Sequence, residues 1–201
     1  MALRRLYLYL ALILGGFAVL SGCKQQSASP AVTTQVFPEL SPALDQSLDQ
    51  RLDAFETTFA NGEMGDLVDF MPPKILETLL TQSGVSLAEM KKQLDAVWEQ
   101  TTALVSINNF EITRDQTSVE LASSGRPYKI LPTQVEMKIH ANKTDAVGIS
   151  ETLAFFENGK WYILRLDEVQ MVAIFENVYP DLADIEIMKP IMKIDGNIVQ
   201  P

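Results

Sequence analysis

The chain has 201 residues, and its 16 basic against 26 acidic side chains leave a formal net charge of −10, with no Lys/Arg cluster to offset it. That balance argues against nucleic acid or an anionic lipid surface as the partner of its body. Hydrophobic residues make up 47%, enough for one core, while a single cysteine, Cys23, and a single histidine, His140, exclude a disulfide within the chain and any zinc site of several thiolates or imidazoles.

In chain order, the first 22 residues have three zones. Arg4 and Arg5 are positive, Leu6 to Leu20 is an apolar run with Tyr and Gly, and Ser21-Gly22 is small. This is the order of an export signal, and the run falls short of the ~20 residues that a permanent helical span needs. Leu20-Ser21-Gly22-Cys23 resembles the lipobox of bacterial lipoproteins. The resemblance implies cleavage between Gly22 and Cys23, a diacylglyceryl group on the Cys23 thiol, and membrane attachment through that lipid, since two or more acyl chains hold a protein stably. It also implies the cell envelope, and because Lys24 rather than Asp follows the cysteine, the outer membrane with the body facing the periplasm.

Residues 23–42 are expected to be the lipidated terminus and a flexible tether, because KQQSASPAVTTQVFPELSP has three prolines and no periodicity. Such a coil spans about 20 to 25 Å. Residues 43–201 are expected to form one domain. Leu44, Leu48, Leu52, Phe55 and Phe59 fall on one helical stripe that stops at Asn61-Gly62. Asp45, Asp49, Asp53 and Glu56 form an acidic stripe beside it, expected to be a solvated face rather than a cation site. A short helix is expected to end near Met71 and another to begin at Pro72-Pro73 and run to Gly84. Ser86-Leu87-Ala88-Glu89 is a capping box, with Val85 and Met90 set for a hydrophobic staple.

After Val105 the period becomes two, at Phe110 and Ile112, at Val119 and Leu121, and at Val135, Met137 and Ile139. Asn158-Gly159 separates residues 147–156 from WYILRL, which predicts a hairpin with Phe156 opposite Trp161 and Phe155 opposite Tyr162. Met171, Ile174, Phe175 and Val178 return to helical spacing. The remainder, broken by Pro190, is expected to lie extended along the body. The fold class expected is therefore α+β: N-terminal helices packed on a bent antiparallel sheet, with a C-terminal helix.

The GEMGDLVDFMPPKIL segment after the first helix and the closing ENGKWYILRLD strand resemble the nuclear-transport-factor-like superfamily. That resemblance implies a bent sheet wrapped round a helical layer into a cone. The superfamily holds isomerase-like and dehydratase-like enzymes beside members that only bind, and none of its catalytic positions matches a residue here.

Catalytic motifs are sparse. His140 alternates with Glu136 and Lys138 on a polar strand face, and Ser123-Ser124 lack a nucleophile-elbow context. No catalytic residue, metal site or cofactor is expected. Arg126, Tyr128 and Lys129 could hold an anion, although a plain turn fits SSGRP better. Tyr128, Phe155, Trp161 and Tyr162 are candidate pocket-lining residues. The expectation is a lipid-anchored, non-catalytic module binding an unknown protein or small-molecule ligand. Two alternatives stand beside it: an isomerase-like or dehydratase-like enzyme with a buried carboxylate in a cone-shaped pocket, and an assembly factor using an apolar patch at 182–194.

Overall fold

The structure is a computed structural model that describes residues 41–114, 118–166 and 169–199. Ser41 caps helix α1 (Pro42–Ala60), accepting from the Leu44 amide, so the domain begins slightly before residue 43. The predicted stripe is the buried one: Leu48, Leu52, Phe55 and Phe59 face inward. A 3-10 helix (Asp66–Phe70) follows, then α2 (Pro73–Ser83) closed by Gly84 in the left-handed region. Helix α3 (Leu87–Thr102) starts at Ser86, whose Oγ accepts from the Glu89 amide at 3.2 Å. Among the described residues no helix is long and apolar enough to cross a membrane.

Among the described residues seven strands form one antiparallel sheet around the pair β3 (Pro127–Ile139) and β4 (Thr144–Glu157). On its outer edge β3 carries β1 (Val105–Ile112) along 133–139 and the two-residue β2 (Glu120–Leu121) along 127–128. A bulge at Asn108 kinks β1. The outer edge of β4 carries β5 (Lys160–Arg165) along 152–157 and β6 (Ile191–Ile194) along 146–149. The β4–β5 turn is the predicted one, with Asn158 and Gly159 at φ 52° and 81°. Its register also pairs Phe156 with Trp161 and Phe155 with Tyr162.

The class is α+β, with one difference in the last third. The helix expected there is α4 (Val169–Val178), but it does not end the chain. A 3-10 turn (Pro180–Leu182) and a hairpin of β6 with β7 (Asn197–Val199) follow, turning at Asp195-Gly196. The supposed apolar patch at 182–194 is largely spent inside the fold. Leu182 is buried, Ile185 and Ile187 pack on the core, the Met188 amide donates to Glu151 at 2.6 Å, and β6 pairs with β4.

The second half of β4 and nearly all of β5 are buried on both faces, since Thr152 to Phe155 and Trp161 to Leu164 have no exposed member. Leu131, Ala154, Trp161 and Ile163 pack against α1, while Tyr128, Leu153, Phe155, Tyr162 and Leu164 join the cluster that contains α2, α3 and α4. The 3-10 helix joins the two layers around β5's outer edge, with Val68 in one cluster and Phe70 in the other. Arg51 of α1 fastens it there. Its Nε donates to the Trp161 carbonyl at 3.3 Å and its Nη2 to the Asp69 carbonyl at 2.6 Å, so an open-edge acceptor of β5 is satisfied.

Gly62 closes α1 at φ +75°, and a Cβ there would lie 2.6 Å from Trp98 Nε1 on α3. Both the backbone and the space require glycine. The substitution Gly62→Ala is expected to destabilise the fold by about 1–3 kcal/mol, read from the urea midpoint, with a shift in Trp98 emission.

Candidate functional site

Where the helices pass round the β5 edge they leave a partly open cavity of about 80 Å³. Helix α1 contributes Phe55 and Phe59, the 3-10 helix contributes Leu67 and Val68, and Met64 and Met71 flank it. Leu79 of α2, Met90 and Leu94 of α3, and Phe110 of β1 add further wall, and Ile163, Leu164 and Arg165 of β5 close it. Leu67, Met71, Phe110 and Arg165 are half-buried, so these four reach solvent. Phe59 stacks on Phe110 with ring centroids 4.1 Å apart. A hollow lined this way offers water few polar partners. At ~24 cal/mol per Å³ of cavity, leaving it empty forgoes about 2 kcal/mol.

The polar residue in this wall is Arg165. It projects from β5 on the sheet face where β3 and β4 carry a buried polar strip, donating from Nη2 to Ser150 Oγ at 3.2 Å. Beside Ser150, Thr133 Oγ1 and Thr152 Oγ1 share a hydrogen bond of 2.7 Å, and both residues are buried.

The aromatic residues singled out from sequence lie elsewhere in the core. Trp161 is 2% exposed and donates from Nε1 to the Leu44 carbonyl at 3.2 Å and to Ser47 Oγ at 3.1 Å. The Tyr128 hydroxyl donates to Glu120 of β2, and burial together with that carboxylate raises its pKa. Phe155 is wholly buried among Tyr162, Phe175 and Tyr179. None of the four belongs to the cavity wall. Their alternation and cross-strand pairing placed them in the core, while the wall draws on six separate elements whose meeting leaves no local pattern. Gly22 and Cys23 lie outside the described residues.

Arg126 and Lys129, considered above as anion ligands, are both paired. Lys129 reaches Asp45 at 3.4 Å. Arg126 forms the centre of a clasp, 2.9 Å from Glu157 at the β4–β5 turn and 3.0 Å from Asp181 after α4. Ser124 donates to Asp181 at 2.5 Å, and Tyr179 donates to Glu157 at 3.0 Å. The guanidinium also lies over the Tyr179 ring, 5.0 Å from its centroid. Burial opposes the charge on Glu157, but its bonds to Arg126, Tyr179 and Lys74 outweigh that and hold its pKa below the usual value. The same balance, with Ser124 and Arg126 as donors, lowers that of Asp181.

The acidic stripe of α1 is the solvated face expected, with Asp45, Asp49 and Asp53 exposed and Glu56 half-buried, and Arg114, just beyond β1, lies against it. Arg114 reaches Asp53 at 2.7 Å, Asp49 at 3.9 Å and Glu56, whose other oxygen accepts from the Ile112 amide at 2.9 Å. Among the described residues no group of three or more His, Cys, Asp or Glu side chains could hold a metal ion. His140 Nδ1 faces the Ala103 carbonyl at 3.1 Å, which fixes the proton on that nitrogen, and Nε2 accepts from Ser106 Oγ at 2.6 Å. Both side chains are exposed. Water competes for each, whereas a serine–histidine pair works as a base and nucleophile in a shielded place.

The clasp sets a pH dependence. Both carboxyls have lowered pKa values in the folded state, so their contribution is complete above the unfolded carboxylate range of about 4 and is lost as pH falls through the lower folded values. Arg126→Gln is expected to cost about 2 kcal/mol at pH 7, between surface and fully buried pairs. The gap to the wild type should narrow as pH falls through and below the carboxylate range, as measured by urea unfolding at pH 7 and at successively lower pH.

No family model, curated protein or solved structure matches the chain.

Proposed function

We propose that the chain is a lipid-anchored lipoprotein of the bacterial envelope whose body is a non-catalytic module that binds a protein or small-molecule ligand. In this reading residues 1–22 are removed, Cys23 carries the lipid, residues 23–42 tether the body, and the body faces the periplasm, with the outer membrane favoured. The observation that carries the anchor is Leu20-Ser21-Gly22-Cys23 directly after the apolar run. The succession of three helices and an antiparallel meander supports placing the body near the nuclear-transport-factor-like superfamily.

The binding role is supported by the chemistry of the cavity. An isomerase or dehydratase needs a carboxylate at its reacting centre, and the cavity wall is made of Phe, Met, Leu, Val, Ile and one Arg. The carboxylates of Glu56, Glu120, Glu151, Glu157 and Asp181 are each engaged by a donor outside that wall. Net acidity accords with a body that does not adhere to nucleic acid.

Replacing Cys23 tests the anchor. The Cys23→Ser protein is expected to leave sedimented envelopes on high-pH extraction while the wild type stays, and the mature wild type should begin at an acylated Cys23 by mass spectrometry. A serine variant that stays with the envelope would contradict the reading.

A further inference from the structure

We infer that the cavity beside β5 is a site for an unbranched alkyl chain, the end of an acyl tail, and that this is the ligand site of the binding module proposed above. The wall selects for apolar matter, because apart from Arg165 at its half-buried rim its side chains offer a polar ligand no bonds to replace those to water. Shape then selects among apolar ligands. A volume of about 80 Å³ is about half that of the engineered apolar cavity that takes a benzene ring, too small for a ring and open enough for the tip of a chain. Depth can be gained at one kind of side chain. Met64, Met71 and Met90 all line the cavity, and their unbranched thioethers change rotamer at little cost to admit further methylenes. Entry is available between the half-buried Leu67, Met71, Phe110 and Arg165, so a chain can enter by its methyl end with its polar end left at the surface.

A free fatty acid and the tail of a membrane lipid share this chemistry. The test uses a chain from residue 23 with Cys23→Ser, which keeps every described residue and carries no lipid of its own, labelled with ¹³C at the methionine methyls. Decanoate is expected to shift Met64, Met71 and Met90 saturably while Met137 and Met192, which cover Gly148 on another part of the sheet, stay in place. Adamantane-1-carboxylate, with the same head group on a rigid cage, should bind at least about tenfold more weakly. Liposomes of dioleoylphosphatidylcholine, whose surface has no net charge to repel the acidic body, form the second arm, and the same three shifts there assign the source to membrane lipid.

Leu79→Phe, which fills the hollow, should weaken decanoate about tenfold. Val68→Leu, a gentler filling, should do so by a smaller factor if the first variant folds poorly. The absence of saturable shifts in both arms, equal binding of the cage compound, or affinity indifferent to both substitutions would overturn the assignment. Such a failure would leave the Cys23 anchor untouched, since the test protein has none.

Discussion

The fold depends on burying both faces of the β4–β5 half of the sheet. A hairpin with one wet face needs one layer over it, but Thr152 to Phe155 and Trp161 to Leu164 are apolar or small at successive positions and cannot leave either side to water. The chain meets this by laying α1 on one face and α2, α3 and α4 on the other. The two layers must then be joined around the outer edge of β5. That task falls to the 3-10 helix, which at five residues, cut off by Pro72-Pro73, is too short to fill the corner as a longer helix would. The cavity lies at that corner, so the hollow follows from the topology of a sheet wrapped on both sides.

A second constraint is the shortage of cations. With 16 basic against 26 acidic residues, a one-to-one pairing of charges is impossible, and several cations serve more than one acid. Lys91 holds Asp66 and Asp69, each at 2.9 Å, and pins the 3-10 segment to α3. Arg114 gathers the acids of α1 to the end of β1, and Arg126 ties the β4–β5 turn to the segment after α4. Each bridge joins parts distant in sequence. These bridged carboxylates act as structural partners, and among the described residues none lines the cavity.

How much of this was legible in sequence varies with how local its cause is. The Ser86 cap, the α1 stripe and the Asn158-Gly159 turn with its aromatic pairs depend on neighbours within a few residues, and all are found in the fold. The first half of β3 was hidden, because Pro127 and Pro132 within SSGRPYKILP read as loop although both pair in the sheet. The β6–β7 hairpin is poorly legible despite Asp195-Gly196, the same type of turn signal, because Pro190 precedes it and its strands have only four and three residues, too few to show a period. The site was the least legible part. Phe59, Met64, Met90, Leu94 and Arg165 converge only through tertiary wrapping, and their residue types at helical or strand spacing look like any core.

The central claim is that wrapping the β5 edge leaves a largely apolar hollow in the ligand-free protein. Diffraction from crystals pressurised with xenon tests it most directly, because xenon enters apolar cavities and reports on space alone. The account predicts a xenon atom among Phe59, Met90 and Leu164, with little movement of the surrounding side chains. A wall closed over that point with no xenon bound would contradict it.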